Sequence, residues 1–172
     1  MNPSGLLRVL VVALLPVALL PGAAHAAPPP GLTLDDAWIR ALPGLPAAGY
    51  FSLHNAGLHA VTLTGADATA CGTLTLHQTV RMRTMSHGGG MAPGGMAPGA
   101  MAGMPGMTSM HAVAAIEIPP GATVRFTPGG YHLMCEQPGP AVAPGRTVPV
   151  TLHFSDGSSL AAGFPVRSTH GS

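Results

Sequence analysis

From residue 31 onward, apolar residues come in short alternating runs, each closed by glycine, proline or asparagine. The clearest run is Gly72 to Val80, G-T-L-T-L-H-Q-T-V, with Leu74 and Leu76 on one side and Thr73, Thr75 and His77 on the other. A period of two is the signature of a half-buried strand. The same reading gives strands over Leu32 to Leu42, Ala47 to His54, Ala60 to Gly65, Val113 to Ile118, Ala122 to Thr127, Tyr131 to Cys135, Thr147 to Phe154 and Ser159 to Arg167. Pro43-Gly44, Pro119-Pro120-Gly121, Pro128-Gly129-Gly130, Pro138-Gly139-Pro140 and Asp156-Gly157 punctuate them. No window carries helical periodicity. Nine short strands at regular spacing predict an all-β, antiparallel sandwich or barrel.

The segment 1–26 is set aside from the fold. Arg8 precedes an apolar run, Val9 to Leu20, broken by Pro16, and Ala24-His25-Ala26 offers small residues for cleavage. That is the pattern of a secretory signal peptide. The run is too short for the roughly 20 residues a spanning helix needs, so no membrane span is expected after cleavage. With no cysteine near the cleavage site, a lipid anchor there is not expected either. The mature chain, residues 27–172, is then a single domain working in the periplasm or a similar extracytoplasmic space, where disulfides persist.

Charge narrows the function. The chain has seven arginines, no lysine and six acids, and charged residues make up 8% of it, against about 25% in an ordinary protein. A nucleic-acid partner is excluded on this count, because phosphates need a basic face. Aromatics at 4% leave no base-stacking platform.

Methionine changes the picture. Met82, Met85, Met91, Met96, Met101, Met104, Met107 and Met110 crowd into one stretch whose remainder is mostly Gly, Ala and Pro, as in M-A-P-G-G-M-A-P-G-A-M. Such low-complexity sequence opposes both helix and strand, so residues 82–110 read as a long loop inserted between two strands. Neutral, soft thioethers in number raise the question of a soft metal.

Three short stretches hold candidate chemistry. In Tyr131-His132-Leu133-Met134, a strand would point His132 and Met134 to one face, about 7 Å apart at the backbone. On its own H-x-M is a weak signal, shared by any strand with that pair. His77 closes the polar side of its strand, and Met110 ends the methionine-rich stretch. His54 and His59 flank a turn, His153 faces solvent, Trp38 reads as core, and His87 and His111 could join a second loop site. Asp35-Asp36 is discounted as a carboxylate pair, since neighbours on a strand face opposite ways. Cys71 and Cys135 make a disulfide the first reading. It competes with Cys135 as a metal ligand, because periodicity sets Cys135 on the face opposite His132 while Cys71 shares a face with His77. Joining the two cysteines needs a bulge or a kink at Gly72.

Taken together, these residues resemble the periplasmic copper chaperones called PCu(A)C. The resemblance rests on the spacing from Met110 to His132 and on to Met134, set in P-G-G-Y-H-L-M. A-W-I-R, G-Y-F-S-L-H-N, L-H-Q-T, I-E-I-P-P-G and V-P-V-T-L-H-F extend it from about Leu32 to Arg167. It implies a cupredoxin-like sandwich holding one Cu(I) through His77, Met110, His132 and Met134. It also implies delivery to a cytochrome c oxidase subunit or its assembly factor, by a monomer with no enzymatic activity. The interval from His77 to Met110 is longer than the family's, and the excess falls in the methionine-rich stretch. Met107, Met104, Met82 or Met85 could therefore stand in for Met110, and the insert could take further Cu(I) or Cu(II). A copper-sequestering protein that uses this loop as a sponge is the alternative function.

Overall fold

The computed structural model describes residues 27–81 and 108–168. The expected signal segment, Met82, Met85, Met104 and Met107 of the insert, His87 and His170 lie outside the described residues.

Ten strands and no helix make up the described chain: β1 (Leu32–Arg40), β2 (Ala47–Asn55), β3 (Val61–Asp67), β4 (Cys71–Arg81), β5 (Thr108–Ala112), β6 (Ile116–Ile118), β7 (Thr123–Phe126), β8 (Tyr131–Pro138), β9 (Thr147–Phe154) and β10 (Ser159–Arg167). The hydrogen-bonded order is β5-β4-β8-β7-β2-β1-β10-β9-β3-β6, and β8 also pairs directly with β2. A short parallel contact, Ile39 with Val166 and Arg40 with Arg167, joins β1 to β10. There the ladder folds over into two layers, β5-β4-β8-β7-β2-β1 and β10-β9-β3-β6. This is the all-β, cupredoxin-like sandwich that the strand pattern and the resemblance lead one to expect.

The core between the layers follows from the alternation. Along β9, Val148, Val150, Leu152 and Phe154 are buried and the residues between them are more open. Phe51 of β2 stacks on Phe126 of β7, ring centroids 4.0 Å apart, and meets Phe164 of the opposite layer edge-on at 5.6 Å. Such pairs add about 0.5–1.5 kcal/mol to the area they bury. Asn55 is fully buried but satisfied: its side-chain amide donates to the carbonyls of His59 and Ile118 and accepts from the Gly57 amide.

Three departures from the sequence reading have physical causes. Strand β5 begins at Thr108, so the last residues of the stretch read as loop, Met110 among them, are in a strand. They lack branched apolar side chains, but the open edge of β4 supplies backbone partners from His77 to Arg81. Trp38 is not core. The β1–β2 register shifts between Asp35 and Trp38, where Asp36 takes φ 55°, a left-handed conformation that aspartate tolerates. That extra residue flips the face of everything after it: Ile39 goes inward, Trp38 and Arg40 outward. Cys71 and Cys135 are joined, with Cα atoms 5.4 Å apart, which removes Cys135 from any metal-ligand role. In the ladder Cys71 lies opposite Pro138 while Cys135 lies opposite Leu74. The strand ends must therefore bend together. Gln137 at φ 49° and bare Gly72, where a Cβ would sit 2.6 Å from the Gln137 Oε1, make that bend.

The disulfide spans a sequence separation of 64, so chain-entropy arguments assign it about 4 kcal/mol. Cys71→Ser with Cys135→Ser should lower the unfolding free energy in urea by about that much while leaving the β spectrum intact. A loss well under about 1 kcal/mol would show that the bond constrains little.

Candidate metal centre

The outer face of the first layer is where the four candidate residues meet. In the β4–β8 ladder His77 is paired with His132 and Thr75 with Met134. In the β4–β5 ladder His77 is paired with Ala112 and Thr79 with Met110. Residues paired across strands share a face, as do residues two apart. His77, His132, Met134 and Met110 therefore all project from one face of three adjacent strands. The imidazoles are side by side, ring centroids 5.8 Å apart. Met134 and Met110 lie one pair further along at opposite ends, diagonal to His77 at about 7–8 Å. Flexible, unbranched methionine side chains can lean in over such a gap.

The turn Pro128-Gly129-Gly130 fixes the centre. Gly129 takes φ 82°, which glycine adopts without strain. The Gly130 carbonyl accepts from the Thr79 amide at 3.0 Å and from His132 Nδ1 at 3.2 Å. A carbonyl can only accept, so His132 carries its proton on Nδ1 and leaves the Nε2 lone pair available. His132 is 4% exposed although it faces away from the core. Its cover is aromatic: Tyr50 lies 6.5 Å from its ring, and Trp38 packs on Tyr50 at 4.8 Å. Strand β2 is accordingly buried on both faces. Burial holds the His132 pKa below its ordinary value; the hydrogen bond to Gly130 opposes the shift, and the positive potential of His77 and Arg40 adds to it. Burial also pushes the Tyr50 phenol up, against the pull of the Arg40 guanidinium.

His77 Nδ1 is buried without a hydrogen-bond partner. Leaving such a group unsatisfied costs about 1–3 kcal/mol, so this ring nitrogen is the one on His77 that still calls for a partner. Among the described residues no three His, Cys, Asp or Glu side chains cluster as a metal cage. The donors that share a face with the two imidazoles are instead two thioethers, a residue set whose chemistry suits a soft cation.

Several readings of the other residues are also decided. His153 is on the far layer and pairs with Asp67 at 2.6 Å. His54 bonds Thr123, and His111 bonds Ser109. Sequence reasoning does not find the aromatic cover, because the bulge that turns Trp38 outward has no signal in the alternation.

Residues 98–166 match the family model LpqE-like, described as a candidate lipoprotein family. A Leifsonia xyli subsp. xyli protein, Lxx21020, named as a candidate lipoprotein, is 29% identical over 141 residues, 82% of this chain and 72% of the relative. Among solved structures, the copper-bound PCuAC domain from PmoF2 superposes with a TM-score of 0.57 at 17% identity, covering 84% of this chain and 98% of that one; at that identity it shows the fold. The solution structure of CuI-DR1885 from Deinococcus radiodurans superposes with a TM-score of 0.55 at 25% identity, covering 86% and 84%. The chain has the β-sandwich fold of the PCuAC domains. Although the relatives are named as lipoproteins, Cys71 and Cys135 of this chain are joined to each other, so neither is free to carry a lipid thioether. Among the described residues no helix is long and apolar enough to cross a membrane.

The buried His132 yields a pH prediction for the metal-free protein. Its imidazole should titrate below about 6.5 when followed by NMR. Tyr50→Ala, which opens the ring to water, should bring the midpoint back up. The folded value is depressed, so unfolding takes up a proton as pH falls. The stabilisation is complete above about 6.5 and is lost as pH drops through the folded value. An unshifted His132 midpoint in the wild type would contradict the burial described here.

Proposed function

We propose that this chain is an extracytoplasmic Cu(I)-binding chaperone that hands its metal to a partner protein. The observation that carries the reading is the paired imidazoles His77 and His132 on one face with Met110 and Met134 at either end, the buried His77 Nδ1 having no hydrogen-bond partner. Two thioethers and two neutral imidazoles favour a soft monovalent ion over Mg²⁺ or Ca²⁺. None of the four is a thiolate, so a thiolate-bearing acceptor can win the metal by ligand exchange. The copper-bound PmoF2 and DR1885 domains share this fold, and the lipoprotein names of the sequence relatives support a place outside the cytoplasm. Copper here is cargo, and the role is binding and transfer rather than catalysis. Cytochrome c oxidase copper-centre assembly is the destination that the family resemblance favours.

Anaerobic Cu(I) titration against a competing chelator tests this. The wild type should take up one tightly held Cu(I). Loss of a group that merely orients a ligand costs a metal site about 10–100-fold, so removing a direct ligand by His77→Ala or His132→Ala should weaken binding by on the order of 100-fold or more. Deleting residues 88–106 should leave the tight site intact. Several tight copper ions that vanish with the deletion would favour the sequestering role instead. Purely oxygen donors in the X-ray absorption spectrum of the loaded protein would overturn the reading.

Oxidation offers an independent check. Converting Met110 and Met134 to sulfoxides replaces soft sulfur donors with polar oxygen and should abolish tight Cu(I) binding. The protein should remain folded by circular dichroism, because Met110 is 56% exposed and Met134 is half-buried.

A further inference from the structure

Next to the His/Met cluster, on the same face, two arginines stand opposite each other. Arg40 and Arg167 are directly paired across the parallel β1–β10 contact. The residues before them, Ile39 and Val166, are buried in the core, so both arginines project outward. Like charges opposed across strands are destabilising, and here they are held in place. The Arg40 guanidinium lies over Tyr50 at 5.7 Å and the Arg167 guanidinium over Trp38 at 5.4 Å. Stacking of this kind keeps the planar forks presented.

Neither arginine has a carboxylate within ion-pairing distance among the described residues, where the one ion pair is His153 with Asp67 on the other layer. Of the acids on this face, Glu136 accepts from Thr73 on the far side of β8 and Asp35 lies opposite Ser52, beyond the bulge and Trp38 from Arg40, while Arg125 donates to Ser52. In a chain with 8% charged residues, two adjacent and uncompensated guanidinium groups are a concentrated positive feature. Their position is also specific: Arg40 pairs with Ala48, and Ala48 pairs with Met134, so only a methyl group separates Arg40 from the cluster.

We infer that Arg40 and Arg167, seated on Tyr50 and Trp38, are a carboxylate-binding docking patch for an acidic surface of the protein that receives the metal. The partner's identity rests on the copper-carrying reading; the patch rests on the pairing, the stacking and the missing counter-charge. Fork-shaped guanidinium groups take carboxylates bidentately. The four strand spacings from β1 to β5 are about 20 Å, within the footprint of a standard interface of about 800 Å² a side. A partner anchored at the arginines can therefore cover the whole His/Met cluster as far as Met110.

The test has a metal-free arm and a transfer arm. In the first, the apo-protein is titrated at low salt with an aspartate-rich peptide and with its asparagine twin, followed by the fluorescence of Trp38, the one tryptophan in the chain. The aspartate peptide should bind at least about tenfold tighter, and the preference should vanish near 1 M NaCl, where the screening length is about 3 Å. Arg40→Gln with Arg167→Gln should abolish the preference, and Arg40→Lys with Arg167→Lys should keep part of it. In the second arm, a dithiol peptide flanked by aspartates should draw Cu(I) from the loaded wild type about tenfold faster than its asparagine twin, with the chelator-measured affinity unchanged in the glutamine variant. Equal binding of the two peptides overturns the patch, as does a preference that survives loss of both arginines. Inorganic phosphate binding as tightly as the peptide would make this a small-anion site and equally overturn it. A protein that binds no copper sinks the proposed function, while the metal-free arm still decides the patch.

Discussion

The register of β4 against β8 is the constraint on which the rest depends. One alignment sets Leu76 opposite Leu133 and His77 opposite His132. Leu76 and Leu133 are core, so hydrophobic burial enforces the alignment, and the imidazole pair follows from it on the opposite face. A slip of β4 by one residue would turn Leu76 to solvent and His77 inward, away from His132. The ladder is tied at both ends: the disulfide holds Cys71 to Cys135, and the Pro128-Gly129-Gly130 turn returns the Gly130 carbonyl to the Thr79 amide. The pairing that sets the two imidazoles side by side is therefore held by the core itself.

The outer face is not an ordinary wet sheet surface. Tyr50, with Trp38 packed on it, dries one side of the cluster, while Met110 on the edge strand stays open. Drying one side lowers the proton affinity of His132, and the Gly130 hydrogen bond steadies its ring. A neutral imidazole with a fixed tautomer is the form that can donate to a metal. The low aromatic content of the chain is thus divided between two tasks: the phenylalanines fill the core, and Trp38 and Tyr50 cover the site.

Much of this is legible in the sequence, because period-two alternation and Gly/Pro punctuation are local signals. They locate nine of the strands to within a few residues, and the H-x-M spacing puts His132 and Met134 on one face of a single strand. What stays hidden is non-local or irregular. Strand β5 exists only because β4 offers it an edge. The bulge at Asp36 has no composition signal, yet it decides whether Trp38 and Arg40 belong to the core or to the site. Joining Cys71 to Cys135 requires a bend at Gln137 that alternation counts against.

Sulfur occurs in two chemical states in this chain, and the fold keeps them apart. The thiols are joined to each other on the core side of β8, where Cys135 is 1% exposed. The thioethers of Met110 and Met134 are left to the outer face. On the proposed reading this separation sets how copper leaves. A free thiol beside the cluster would hold Cu(I) against an acceptor's thiolates, whereas a thioether cannot. Exposure grades the same way along the site, from His132, sealed by Tyr50 and bound to Gly130, to Met110, 56% open on the edge strand. On that same reading an incoming ligand would meet the metal first from the Met110 side, displace the most accessible donor, and leave the buried imidazole to let go last.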